Sequence, residues 1–229
     1  MAALLGGVGP WPARGRVDLS RHAPTRRSLE ALAASAARSR AGPGSFRAGW
    51  ARRVPELPGG IPLAGYSARG GRPSTGQRDP IDVEALVVSD GRDHAAIVAS
   101  DLLIVPPGVA RRVRASVAER TGLAPDDLLL NASHTHSGPG AFAAGWLAEQ
   151  SAGRFDAGVE TALADAFVGA ITEAWAGLEP ARMGHGRRSV PEQVTNRTRP
   201  GGRVDADLQL LLVEQADGDR LVVACYAAH

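Results

Sequence analysis

The sequence predicts an α/β fold: a layered sandwich of mixed β-sheets flanked by helices, αββα-like and expected to be incomplete at the C-terminus. Three observations lead there. Short β-branched runs separated by Asp/Gly turns outnumber the helical segments, two segments carry apolar residues at helical spacing, and both kinds of apolar face need one shared core.

Residues 1–44 are rich in Arg, Ala and Pro. Their one helical stretch, Ser28 to Ala37, has an apolar side made mostly of Ala, so this part reads as a leader, poorly ordered or weakly helical. Regular patterning starts near Phe46, and residues 45–229 are expected to form one unit. Val83–Ser89 and Ala95–Val105 read as strands joined by the hairpin turn Asp90-Gly91-Arg92-Asp93. Pro106 and Pro107 stop the second strand and open a helix, in which Val109, Val113 and Val117 recur at every fourth residue before Gly122 supplies a C-cap. Asp126–Ser133 reads as a strand with a buried run, Leu128-Leu129-Leu130. A longer helix spans 159–178, with Leu163, Phe167, Ile171, Ala174 and Leu178 on one stripe. Leu208–Glu214 and Leu221–Ala227 form a second hairpin about Asp217-Gly218-Asp219.

The composition bounds the function. All 26 basic residues are Arg, and 24 carboxylates leave a net charge of +2 despite a pI of about 9.3. The Arg clusters are short and lack interleaved aromatics, so they read as solvated faces and no nucleic-acid partner is expected. The absence of Lys with abundant Ala and Gly suggests a GC-rich genome. The single cysteine, Cys225, excludes an intrachain disulfide and a thiolate-rich zinc site, and its apolar run Leu221 to Tyr226 predicts that it is buried. The N-terminus lacks the basic segment of a signal peptide, and no apolar run is long enough to span a bilayer. Compartment and oligomeric state are left open.

The segment Asn131-Ala-Ser-His-Thr-His-Ser-Gly-Pro-Gly140 carries the chemistry. On an extended strand His134 and His136 point to the same face, so two imidazoles can reach one cation such as zinc. If Thr135 breaks the extension, one His binds directly and the other either supports that ligand from behind or contacts substrate. Asn131, Ser133, Thr135 and Ser137 form a dense polar set beside an apolar strand, and the glycines after them would let backbone N–H groups approach a ligand. His229 follows a second strand, so two strand ends can deliver histidines to one sheet edge. Arg197 lies in the polar stretch 191–203. His22, His94 and His185 receive no role. No Gly-x-Ser-x-Gly elbow supports a serine nucleophile, phosphate-loop and dinucleotide fingerprints are absent, and the two Asn-x-Ser/Thr matches are discounted.

From about residue 46 onward these motifs resemble the N-terminal catalytic region of the neutral, non-lysosomal ceramidases and their bacterial relatives. The likeness is carried by Ala48-Gly-Trp-Ala51, Pro62-Leu-Ala-Gly-Tyr66, Asp79-Pro80, Ala85 to Val88 and Ser100 to Leu103. It is strongest in Asn131 to Gly140, and is supported by Asn196-Arg197, Val204-Asp205 and Tyr226-Ala-Ala-His229. The resemblance implies a zinc-dependent amidohydrolase that splits ceramide into sphingosine and fatty acid, with a lipid-like amide as substrate and Zn²⁺ as cofactor. It implies His134 and His229 as zinc ligands, and His136 and Arg197 as catalytic partners that hold the oxyanion or exchange a proton with the leaving amine. It also implies a Glu, a Tyr and an active-site Ser beyond His229. The chain is therefore expected to be a fragment with half a zinc site, inactive by itself. Two alternatives stand beside this: a related metallohydrolase of another amide or an ester, and a non-catalytic relic or binding domain.

Overall fold

The computed structural model describes residues 45–227, together with six helical, exposed positions between 23 and 33 that belong to a separate unit, residues 1–41. Most of the expected leader, including His22, and His229 at the other end lie outside the described residues.

The α/β class is borne out. Seven strands join one mixed sheet in the order β4-β3-β2-β1-β5-β6-β7. They are β1 (Arg47–Arg53), β2 (Val83–Ser89), β3 (His94–Ser100), β4 (Leu128–Leu130), β5 (Glu179–Ser189), β6 (Asp207–Gln215) and β7 (Arg220–Cys225). All neighbours are antiparallel except β3 and β4, which the helix α1 (Pro107–Thr121) connects as a parallel crossover. Two further helices are α2 (Trp146–Ala152) and α3 (Ala157–Ala176). No helix among the described residues is long and apolar enough to cross a membrane.

Helix α1 behaves as its spacing predicts. Pro107 opens it, Val109, Val113 and Val117 are fully buried, and Gly122 ends it in a left-handed conformation with its N–H on the Ala118 carbonyl. Helix α3 is capped by Asp156, whose Oδ1 accepts from the Gly158 N–H at 2.7 Å. It packs on β1 and β2 on one side and on α1 on the other. That position explains why Leu163, Phe167, Ile171 and Ala174 are all fully buried. The core between the helices and the sheet is completed by Val83, Ala85, Val87, Ala96 and Val98, the inward-pointing residues of β2 and β3. The other face buries the smaller set Ala48, Leu86 and Val213 and opens into a hollow of about 970 Å³.

Four expectations are corrected. β3 ends at Ser100 and does not run to Val105: the Asp101 carboxylate accepts from the Asp82 N–H, Asp101 N–H donates to the Asp82 carbonyl, and the chain bends there. β4 covers only Leu128–Leu130 within the expected 126–133, with Asp126 and Asp127 in a 3₁₀ turn before it. Of its three leucines only Leu128 is buried, and Leu129 is 56% exposed, because it points away from the helices. Cys225 is exposed, since β7 is an edge strand with one neighbour and no buried face at its end.

The outer strands β5, β6 and β7 are stapled by charge. Glu214 on β6 accepts from Arg182 on β5 at 2.6 Å and from Arg220 on β7 at 2.9 Å. The Arg182 hydrogen bond, aided by the positive charge of both arginines and opposed by desolvation, holds the Glu214 carboxyl below its ordinary value of 4.5. A depressed carboxylate stabilises the fold above the unfolded value, and that contribution is lost as pH falls from about 4.5 through the lower folded value. In urea titrations, Glu214→Gln is therefore expected to be less stable than wild type at neutral pH and to converge with it in acid. A gap that persists unchanged at low pH would show that the charge of Glu214 is immaterial.

Candidate active site at the strand ends

After β4 the chain runs on along β3 without forming a strand. Asn131 N–H donates to the Val98 carbonyl at 2.8 Å and Ser133 N–H to the Ser100 carbonyl at 2.9 Å. The Ser100 hydroxyl donates in turn to the Asn131 carbonyl at 2.8 Å. These bonds carry the polar motif to the end of the sheet, where open α/β sheets place ligands.

The alternation expected for the two histidines is broken at His134 itself. Its φ is +58°, the left-handed region that non-glycine residues seldom occupy and that clusters at functional sites. The His134 and His136 rings are not side by side but edge to face, with centroids 5.0 Å apart and planes at 78°. His134 is exposed, and its Nδ1 lies 2.7 Å from the Leu103 carbonyl. A carbonyl only accepts, so Nδ1 is the nitrogen that donates here, and in a neutral ring Nε2 is then the one with the lone pair. That arrangement fits a metal: a ligating imidazole commonly anchors its other nitrogen on a carbonyl, which fixes both tautomer and ring direction. Among the described residues no group of three His, Cys, Asp or Glu side chains could hold a metal ion.

His134 and Arg197 line one hollow of about 500 Å³, together with Ser133, Asn196, Asp205 and Tyr226. The structure thus brings these two predicted residues together; His136 does not line that hollow. Arg197 is presented by a loop that Asn196 organises: its Oδ1 accepts from the N–H of Thr198 and of Arg199 and from the Thr198 hydroxyl, while its Nδ2 donates to the Arg203 carbonyl. The polar stretch 191–203 therefore folds into a specific loop.

The two turn glycines do a different job from the one expected. Gly138 and Gly140 are buried against the chain itself: a Cβ on Gly138 would lie 2.6 Å from the Asp101 carbonyl oxygen, and one on Gly140 2.1 Å from that of Ala152. They let the motif dock on residues 62–64, with Ala64 N–H on the Gly138 carbonyl and Gly140 N–H on the Pro62 carbonyl.

Tyr226 lines both this hollow and the larger one on the open sheet face, as Ala132 and Ser133 do. Its hydroxyl donates to the Val190 carbonyl at 2.8 Å. Desolvation, with Glu192 and Asp205 nearby, raises its pKa, so it stands as a neutral phenol. Sequence reasoning gave Tyr226 no role; its only signal was its position three residues before His229.

Together the fold and this cluster define an α/β domain with a polar, imidazole-bearing site at its strand ends. The family follows from sequence: the model described as neutral/alkaline non-lysosomal ceramidase, N-terminal, matches residues 58–201, and the chain belongs to that family. The resemblance carried by the motifs is borne out. Solved ceramidases share the fold at 22% identity. Neutral ceramidase from Pseudomonas aeruginosa matches with a TM-score of 0.71, over 79% of this chain and 31% of that one. A ceramidase complexed with C2 matches with a TM-score of 0.66, over 79% of this chain and 30% of that one. The chain thus spans less than a third of the length of those proteins. No curated protein matches it significantly in sequence.

Proposed function

We propose that this chain carries part of the active site of a zinc-dependent hydrolase that cleaves the amide bond of N-acyl sphingoid lipids. The observation that carries this reading is His134, left-handed, with its Nδ1 on the Leu103 carbonyl, on the wall of a hollow that Arg197 shares. His134 and His229 would hold the metal. A catalytic zinc usually takes three protein ligands, so two from this chain leave the set to be completed by the Glu and Tyr that the family resemblance implies further along. By itself the chain is then inactive and binds zinc weakly.

Zinc in such a site supplies Lewis acidity, which polarises the amide carbonyl and acidifies water. Arg197, from the wall of the hollow, presents a planar fork of N–H donors that stabilises negative charge developing on the carbonyl oxygen. His136 lies outside that hollow with its ring against that of His134, and in this reading it is the partner that exchanges a proton with the leaving amine.

The test uses the longest protein that the gene encodes. It is expected to hold stoichiometric zinc by elemental analysis and to release fatty acid from a short-chain ceramide. His134→Ala is expected to weaken zinc retention by at least tenfold, judging from the ~10- to 100-fold that loss of even a supporting group costs. No zinc, together with an inert His134→Ala, would end the metallohydrolase reading. Activity on simple amides or esters but not on ceramide would replace the substrate.

A further inference from the structure

We infer that Arg69 is a positioning residue for His136, acting through the ring of Tyr66. The segment 62–70 turns back on itself at the 3₁₀ turn Ser67–Arg69, with Arg69 N–H on the Tyr66 carbonyl at 3.0 Å and Gly70 left-handed at its end. This return places the Arg69 side chain, half-buried, over the motif. Its Nη1 donates to the Ala64 carbonyl at 2.8 Å and to the His136 carbonyl at 2.6 Å, joining two segments 67 residues apart in sequence. The guanidinium carbon lies 4.8 Å from the centroid of the Tyr66 ring, a cation–π contact. The Tyr66 ring in turn lies 4.6 Å from that of His136, tilted by 57°.

Gly65 completes the cradle. A Cβ there would stand 2.6 Å from Cγ and Nδ1 of His136, so the imidazole fills the space that a side chain would take. The His136 ring is thus bounded by the Gly65 backbone, the Tyr66 ring and the His134 ring. Its own carbonyl is tied by the same guanidinium that holds Tyr66. One cation therefore fixes both the backbone of His136 and the ring that bounds its side chain. Tyr66 is 54% exposed, so solvent reaches about half of it and the guanidinium over its face is a substantial part of what holds it against the imidazole.

The chemical importance of His136 rests on the hydrolase reading, but its ring geometry can be measured whether or not zinc or amide cleavage is found. The experiment is NMR on the whole chain with labelled aromatic residues. The wild type is expected to show nuclear Overhauser contacts between the Tyr66 and His136 rings. It should also show them between His94 and Trp175, whose centroids are 4.9 Å apart elsewhere in the fold and serve as a control. Arg69→Met is expected to lose the first contact and keep the second, and Arg69→Lys to restore the first. Retention of the Tyr66–His136 contact in Arg69→Met overturns the proposal. Should that variant lose the control contact as well, Arg69→Gln decides, because it keeps an N–H donor for the carbonyls but puts no cation over the ring. Loss of only the Tyr66–His136 contact in Arg69→Gln supports the inference, and retention of both overturns it.

Discussion

Phe167→Ala is expected to lower the stability of the chain by about 3–5 kcal/mol, the usual cost of removing a buried aromatic side chain. Phe167 is fully buried and, among the described residues, the largest of the completely enclosed side chains. It sits in the middle of α3, a helix that packs against both the sheet and α1. A hole there cannot be filled by a shift toward one neighbour without loss at the other, because α3 is buried on both sides. Since small domains are stable by only about 5–15 kcal/mol, the loss is a large fraction of the total. Urea unfolding followed by far-UV circular dichroism reads it as a fall in midpoint at unchanged slope. A cost under about 1 kcal/mol, the level of an ordinary substitution, would show that α3 does not pack as described.

What the sequence revealed and what it concealed divide along physical lines. Helices α1 and α3 were legible because each buries a stripe, and the Val109, Val113, Val117 spacing and the Leu163, Phe167, Ile171 spacing state that burial directly. The β2–β3 and β6–β7 hairpins were legible from their apolar runs and Asp/Gly turns. β5 was not: Glu179–Ser189 has almost no apolar alternation and is exposed along nearly its whole length. It is a strand because β6 pairs with it from Ala181 to Ser189, so its structure is written in its partner. Helix α2 escaped for a related reason, with Trp146 and Leu147 67% and 78% exposed and no stripe to detect. At the site, the residue types of the motif announced chemistry, but the backbone that displays them did not follow from alternation. The left-handed turn at His134 is set by tertiary hydrogen bonds to β3 and Leu103, which no local pattern encodes. The Gly65-Tyr66 pair carried only a weak signal in sequence, because its reason lies far along the chain in the His136 ring, where a Cβ on Gly65 would collide.

Gly140→Ala is the second large effect expected, and it joins stability to the site. Gly140 sits where three backbone segments meet: its N–H donates to Pro62 at 2.7 Å, and the next N–H, of Ala141, donates to Ala152 at 2.7 Å. The added methyl would stand 2.1 Å from the Ala152 oxygen and 2.9 Å from the Pro62 oxygen. Neither oxygen belongs to a side chain that can rotate away, so relief requires the backbone to move and at least one of these bonds to break. Overpacking of this kind costs about 1–3 kcal/mol and occasionally more, and a broken buried bond adds about 1 kcal/mol. Gly59→Ala is the matched control: nothing lies within 4 Å of its Cβ position, so a change within about 0.5 kcal/mol is expected. The displaced segment leads directly into Gly65 and Tyr66, so the destabilised variant should also lose the Tyr66–His136 ring contact before it unfolds globally. If Gly140→Ala were as stable as Gly59→Ala, the glycines would not be there for close packing, and the earlier expectation that they open the backbone to a ligand would regain its force.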